Sequence, residues 1–210
     1  MNYAASDSAM AWQAQSLLIG YPDTDLRQRL PLLRAVAATV PRPVGRPLSA
    51  FIDHADSTAD TALAADYVAT FDHHKRFSLY LTYFTHGDTR TRGMALLRLK
   101  RTYRGTGLDL GEHELPDHLS VLLEFAATQP EPGRSLLLRH RAGLELLRLG
   151  LTETASPWAA IVDSISATLP TLSRHESDRV LRLAAQGPPE EAVGLTPYAP
   201  PNHPPHGGHR

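Results

Sequence analysis

Residues 114–128 read Glu-Leu-Pro-Asp-His-Leu-Ser-Val-Leu-Leu-Glu-Phe-Ala-Ala-Thr. Wound as a helix, this stretch places Leu119, Leu122, Leu123 and Ala126 on one stripe, and Val121 and Phe125 widen it. Only Asp117, Ser120, Glu124 and Thr128 stay polar, and they follow one narrow seam. A helix that is apolar round most of its circumference belongs in a core. Pro116 suits a first helical position, where its missing N–H is an orphan in any case. On that register Asp117 faces the positive end of the helix dipole, and His118 lies in the same turn, where the dipole disfavours its cation. The expectation is a buried helix whose polar seam leads up to a charged N-terminal turn.

Working outward, helix follows helix. Residues 8–19 begin after Ser6, Asp7 and Ser8, each able to cap, and place Met10, Ala14, Leu17 and Leu18 at helical spacing. Tyr21-Pro22-Asp23 stops that helix and caps the next, over 24–40, with Leu26, Leu30, Leu33 and Ala37 on one face. Pro31 predicts a kink or break near Leu30. Residues 41–47, with three prolines and a glycine, read as a loop, followed by a short helix over 48–55. Residues 58–71 carry Leu63, Tyr67 and Phe71 at i, i+4, i+8, which is core spacing by default. Residues 77–85, Phe-Ser-Leu-Tyr-Leu-Thr-Tyr-Phe-Thr, alternate enough for a strand. A lone strand has no partner in such a chain, so helix is expected. Further helices are read over 88–103, 115–128, 134–149 (stopped at Gly150), 157–169 and 172–186. The fold class is therefore all-α: one compact bundle of about nine or ten helices.

The chain has 210 residues, enough for one good core. Its 17 prolines are uneven. Residues 187–210 hold seven of them, with four of the 14 glycines, and end His-Pro-Pro-His-Gly-Gly-His-Arg. That composition predicts a disordered tail beyond a helical domain over 1–186. Formal net charge is −1. Nucleic-acid binding draws its affinity from a basic excess, so no nucleic-acid partner is expected. There is no cysteine, which excludes disulfides, thiolate metal sites and cysteine nucleophiles. No export signal or run of 18 apolar residues is seen, so the expectation is a cytoplasmic protein with no direct membrane insertion. No glycine-rich phosphate loop, internal repeat or Gly-x-Ser-x-Gly occurs.

Two readings of the charged turn compete. One is ordinary helix capping. The other is a pocket where Glu114, Asp117 and His118 meet a cationic or amide-rich ligand. A metal-dependent hydrolase is the alternative function, drawing on the pairs Asp72-His73 and Asp117-His118. The spacing does not favour it, because Asp72-His73-His74-Lys75 sits at a helix end, where His and Lys serve the dipole. The basic helix with Arg90, Arg92, Arg98, Lys100, Arg101 and Arg104 reads as a solvated face or as a dock for an acidic partner.

Tyr67-Val-Ala-Thr-Phe71-Asp72 and Glu114-Leu-Pro-Asp-His118 resemble the paired signatures of the redox-enzyme maturation chaperones. Leu17-Leu-Ile-Gly-Tyr-Pro-Asp23, Ser78-Leu-Tyr-Leu-Thr-Tyr-Phe84, Gly87-Asp-Thr-Arg-Thr-Arg-Gly93, Gly107-Leu-Asp-Leu110 and Leu115-Pro-Asp-His-Leu119 look like the branch that assembles nitrate reductase. The resemblance runs from about residue 12 to about 150. It implies an all-helical chaperone without catalysis or a cofactor of its own. Such a protein binds the apo catalytic (alpha) subunit of respiratory nitrate reductase, including its N-terminal segment. It keeps that subunit competent for molybdenum cofactor insertion before membrane docking. The family motif falls on Tyr67, Phe71, Glu114, Pro116, Asp117 and His118. An amphipathic partner helix would need an apolar groove with charges for register. Leu122 and Phe125 are the expected wall, and Glu114, Asp117 and Glu124 the acids.

Overall fold

The computed structural model describes residues 5–111 and 114–187. Glu112, His113 and the expected disordered tail from residue 188 on lie outside the described residues. Helix α7, Leu119–Thr128, is buried along Leu119, Leu122, Leu123, Phe125 and Ala126, as its pattern dictates. It lies against α1, Ala5–Ile19. Helices α2 (Leu26–Thr39), α3 (Arg42–Ser57) and α4 (Asp60–Phe71) follow. A 3-10 turn, Lys75–Phe77, leads to the short α5, Tyr83–His86, and to α6, Arg90–Gly105. After α7 come α8 (Pro130–Arg139), α9 (Arg141–Glu153), α10 (Ala159–Thr168) and α11 (Arg174–Gln186). The fold is all-α, with eleven α-helices and no strand among the described residues.

Buried polar side chains tie distant helices together. Trp12 Nε1 donates to Thr168 Oγ1 at 2.9 Å, and Gln15 Nε2 to Ser164 Oγ at 2.8 Å, joining α1 to α10. Ser164 Oγ donates in turn to the Val44 carbonyl of α3 at 2.8 Å. Ser16 Oγ reaches the Ser120 carbonyl of α7 at 2.9 Å. Each bond satisfies a group that would otherwise be stranded without water.

Several boundaries differ from the sequence expectation, each for a physical reason. Residues 41–47 are not a loop: α3 starts at Arg42. Pro43 falls in its first turn, where no N–H is needed, and burial of Val44, Leu48, Phe51 and Ile52 offsets the bond lost at Pro47. Helix α2 likewise runs unbroken through Pro31. The helix expected over 134–149 is two, α8 and α9, meeting at His140. Gly150 does not stop α9. A Cβ there would lie 3.0 Å from the Phe77 ring, so this glycine makes room for a close neighbour. Residues 77–85 are neither strand nor one helix. They pass from the 3-10 turn through an isolated antiparallel bridge, Tyr80 to His118, into α5.

The turn before α7 also departs from expectation. Pro116 is not the first helical residue. The His118 N–H donates to the Leu115 carbonyl at 3.1 Å, closing a turn with Pro116 at its second position, which proline favours. The helix begins at Leu119, with His118 as its N-cap.

Candidate functional site

The bridge brings two remote segments side by side. The Leu81 N–H donates to the Asp117 carbonyl at 3.0 Å, and the Leu119 N–H to the Leu79 carbonyl at 2.8 Å. Beside this seam opens a cavity of about 230 Å³, and Tyr67, Phe71 and His118 all line it. Tyr67 and Phe71 come from the last turns of α4, with ring centroids 4.7 Å apart. Both rest edge-on against Trp158, at 5.7 and 5.6 Å, and so form a floor fixed to the core. Tyr80 and Tyr83 add aromatic wall, and Lys75, Asp88 and Arg92 supply charge.

Arg92 is the best-anchored of these charges. One Nη donates to Asp117 Oδ2 and the other to Asp88 Oδ1, both at 3.4 Å. Its Nε donates to Thr82 Oγ1 at 3.3 Å, and the guanidinium lies 5.6 Å from the Tyr80 ring centre, a cation–π distance. Thr82 donates its own hydroxyl to Asp117 Oδ2. Asp117 is wholly buried, so its charge meets the chain's own Arg92, and it holds that cation at the pocket rim.

His118 is half-buried. Its Nδ1 accepts from the Ser120 N–H at 3.3 Å and lies 2.7 Å from Ser120 Oγ. Its ring stands edge-on to Tyr80 at 5.1 Å. Burial pushes its pKa below the ordinary value, against the pull of Asp117 and Glu114. The neutral ring is the form that caps, because a proton on Nδ1 would displace the bond from Ser120.

The remaining expected residues divide. Glu114 and Glu124 are exposed and line a second cavity of about 190 Å³, floored by Tyr103, Val121 and Phe125. Phe125 is 4% exposed and packs against Tyr103 with tilted rings 4.4 Å apart, so it serves as floor more than wall. Leu122 is wholly buried and reaches neither cavity. Pro116 is buried too, its carbonyl accepting from Tyr103 Oη at 2.7 Å. The hydrolase alternative finds no ligand set: among the described residues no three His, Asp or Glu side chains converge for a metal ion. Sequence reasoning did not single out Tyr80, Tyr83, Lys75 or Arg92 as site residues. Lys75, Tyr80 and Tyr83 sit in a 3-10 turn, an isolated bridge and a four-residue helix, too short for periodicity to mark an inward face, and Arg92, in the first turn of α6, read as one more cation of a basic helix.

This helical arrangement has a counterpart among solved structures. The crystal structure of a candidate redox enzyme maturation protein from Archaeoglobus fulgidus matches 76% of this chain and 91% of its own, with a TM-score of 0.58 at 24% identity. The model of the nitrate reductase delta subunit family matches residues 37–162, and the chain belongs to that family. NarJ of Bacillus subtilis (strain 168) is 34% identical over 174 residues, 82% of this chain and 95% of that one. The nitrate reductase molybdenum cofactor assembly chaperone NarJ of Escherichia coli (strain K12) is 32% identical over 188 residues, 88% of this chain and 77% of its own. The nitrate reductase-like protein NarX of Mycobacterium tuberculosis (strain H37Rv) is 38% identical over 160 residues. Those cover 76% of this chain but only 24% of NarX, so the chain spans about a quarter of that relative.

Proposed function

We propose that the chain is a non-catalytic assembly chaperone acting in the cytoplasm. It binds the apo catalytic subunit of a nitrate reductase and keeps it competent for molybdenum cofactor insertion before the subunit docks on the membrane. The subunit's N-terminal segment enters the cavity between α4, the Tyr80–Tyr83 stretch and His118. One observation carries this reading: Tyr67, Phe71 and His118, from two motifs far apart in the chain, line a single cavity. The names of the Escherichia coli and Bacillus subtilis relatives support it. A partner helix would lay apolar side chains on the aromatic floor and set its register against Arg92 and Asp88. Glu114 and Glu124, at the second cavity, would take a basic side chain of the same segment.

Calorimetric titration of an N-terminal peptide of the catalytic subunit tests the site. Tyr80→Ala should weaken binding about tenfold, the loss expected for one aromatic anchor. Glu114→Gln with Glu124→Gln should weaken it less and reduce its salt dependence. Equal affinity across wild type and both variants would remove the site assignment. Failure of the full-length subunit to co-purify with wild-type protein would remove the chaperone reading itself.

A further inference from the structure

Helix α6 carries Arg90, Arg92, Arg98, Lys100, Arg101 and Arg104, and no acidic residue between its ends. Its buried side is Ala95, Leu99 and Tyr103, one residue per turn. Arg92 also turns inward, to Asp117. The other cations do not. At helical spacing Arg90, Met94, Leu97, Arg101 and Arg104 share the opposite face, with Arg98 and Lys100 at its edges. All four of these arginines are exposed. Met94 and Leu97, which flank Arg90 and Arg101 on this face, keep 52% and 50% of their surface in solvent.

Folding does not call for this face. Like charges three and four residues apart, as in Arg98 with Arg101 and Lys100 with Arg104, repel and weaken a helix. Arg104 has a partial remedy in Asp109, at 3.3 Å. Among the described residues Arg98, Lys100 and Arg101 have no carboxylate at ion-pair distance. The chain's formal net charge is −1, so cations are concentrated here rather than abundant throughout.

We propose that the outer face of α6 docks on an anionic lipid bilayer. The arginines meet headgroup phosphates, and Met94 and Leu97 enter the interface between them. The chemistry is that of an interfacial contact: two exposed apolar side chains set among cations on one helix face. Nucleic acid fits less well, since the face offers no aromatic ring for stacking. Contact of this kind is peripheral. No helix among the described residues is long and apolar enough to cross a membrane. The inference stands apart from the chaperone reading, but the two are compatible in space. Asp88, just before α6, and Arg92, in its first turn, line the pocket, so a bound segment would lie about 10 Å, one helix diameter, from the lipid.

Co-sedimentation of the full chain with vesicles tests it. Wild type should pellet with vesicles of phosphatidylcholine and phosphatidylglycerol, stay in solution with phosphatidylcholine alone, and be released by high salt. Arg98→Gln with Arg101→Gln should weaken binding about twenty-fivefold, at roughly fivefold per cation. Met94→Ser with Leu97→Ser should weaken it while leaving its salt dependence in place. Both variants should keep the wild-type circular dichroism spectrum. Absence of binding to phosphatidylglycerol vesicles, or equal binding by either folded variant, overturns the proposal. So does polyglutamate binding as tight as vesicle binding and indifferent to the Met94 and Leu97 changes, which would assign the face to an acidic protein.

Discussion

A methyl group added at Gly45 would sit 2.0 Å from the Ala37 carbonyl oxygen, at the crossing of α2 and α3. One added at Gly93, on the outer side of α6, would meet nothing within 4 Å. Both are helical glycines, and both gain helix propensity as alanine. The outcomes should nevertheless have opposite signs. Gly93→Ala should stabilise by about 0.5–1 kcal/mol, and Gly45→Ala should destabilise by about 1–3 kcal/mol, as read from urea midpoints. Histidines set a second residue-scale expectation. Burial pushes His140 from its ordinary 6.5 down to about 4, against the pull of Asp117 and with help from Arg139 and His86. His118 is lowered in the same direction, by burial first. The native state therefore binds fewer protons than the unfolded chain as pH falls below about 6.5, so stability is held above that value and lost through the window down to about 4. For His140 the loss should approach about 3 kcal/mol at the acid end. His140→Gln should flatten that part of the stability profile, and an unchanged profile would contradict the burial argument.

Helices α9 and α10 are joined through a buried acid. Glu145 is 2% exposed and takes Arg141 at 2.8 Å, Arg148 at 2.6 Å and the Ser166 hydroxyl at 2.8 Å. Removing it by Glu145→Ala would leave Arg141 buried without its counter-charge. The expected cost is about 3–5 kcal/mol by denaturant unfolding. Helix α11 is held differently. It has a Ser173–Glu176 capping box, yet Val180 is its one buried residue, and it packs on α9. Amides of α11 should therefore exchange with solvent well before those of α7 or α10. Val180→Ala should speed that exchange further while moving the global melting temperature little. A matching drop in protection across α7 would show that α11 belongs to the main cooperative unit instead.

For the molecule as a whole, the proposed site predicts linkage between binding and stability. A peptide that binds only the folded chain should raise its melting temperature, by the equivalent of about 2.7 kcal/mol when present at a hundred times its Kd. Tyr80→Ala should reduce that shift. Asp117→Asn should reduce it too, because Asp117 orients Arg92, and it should also lower the stability of the free protein. The helical class was legible in the sequence because periodicity is local: Leu63, Tyr67 and Phe71, or Leu119, Leu122 and Ala126, mark a buried stripe whatever they pack against. Prolines misled at residues 41–47, and glycine at 150, because their usual role as breakers is also local, and here packing overrode it. The motif residues were legible only in part. The sequence placed Tyr67, Phe71 and His118 as site candidates, and they share a cavity. It could not show that Asp117 is spent on Arg92, that Leu122 lies below the surface, or that Glu114 and Glu124 face a different hollow. Those outcomes depend on the pairing of residues 79–81 with 117–119, a contact made across almost forty residues of chain. By itself, then, the sequence determined the helical class and the residues able to build a site. Tertiary structure alone decided which of those residues meet, because hydrogen bonds and burial between distant segments leave no period to read.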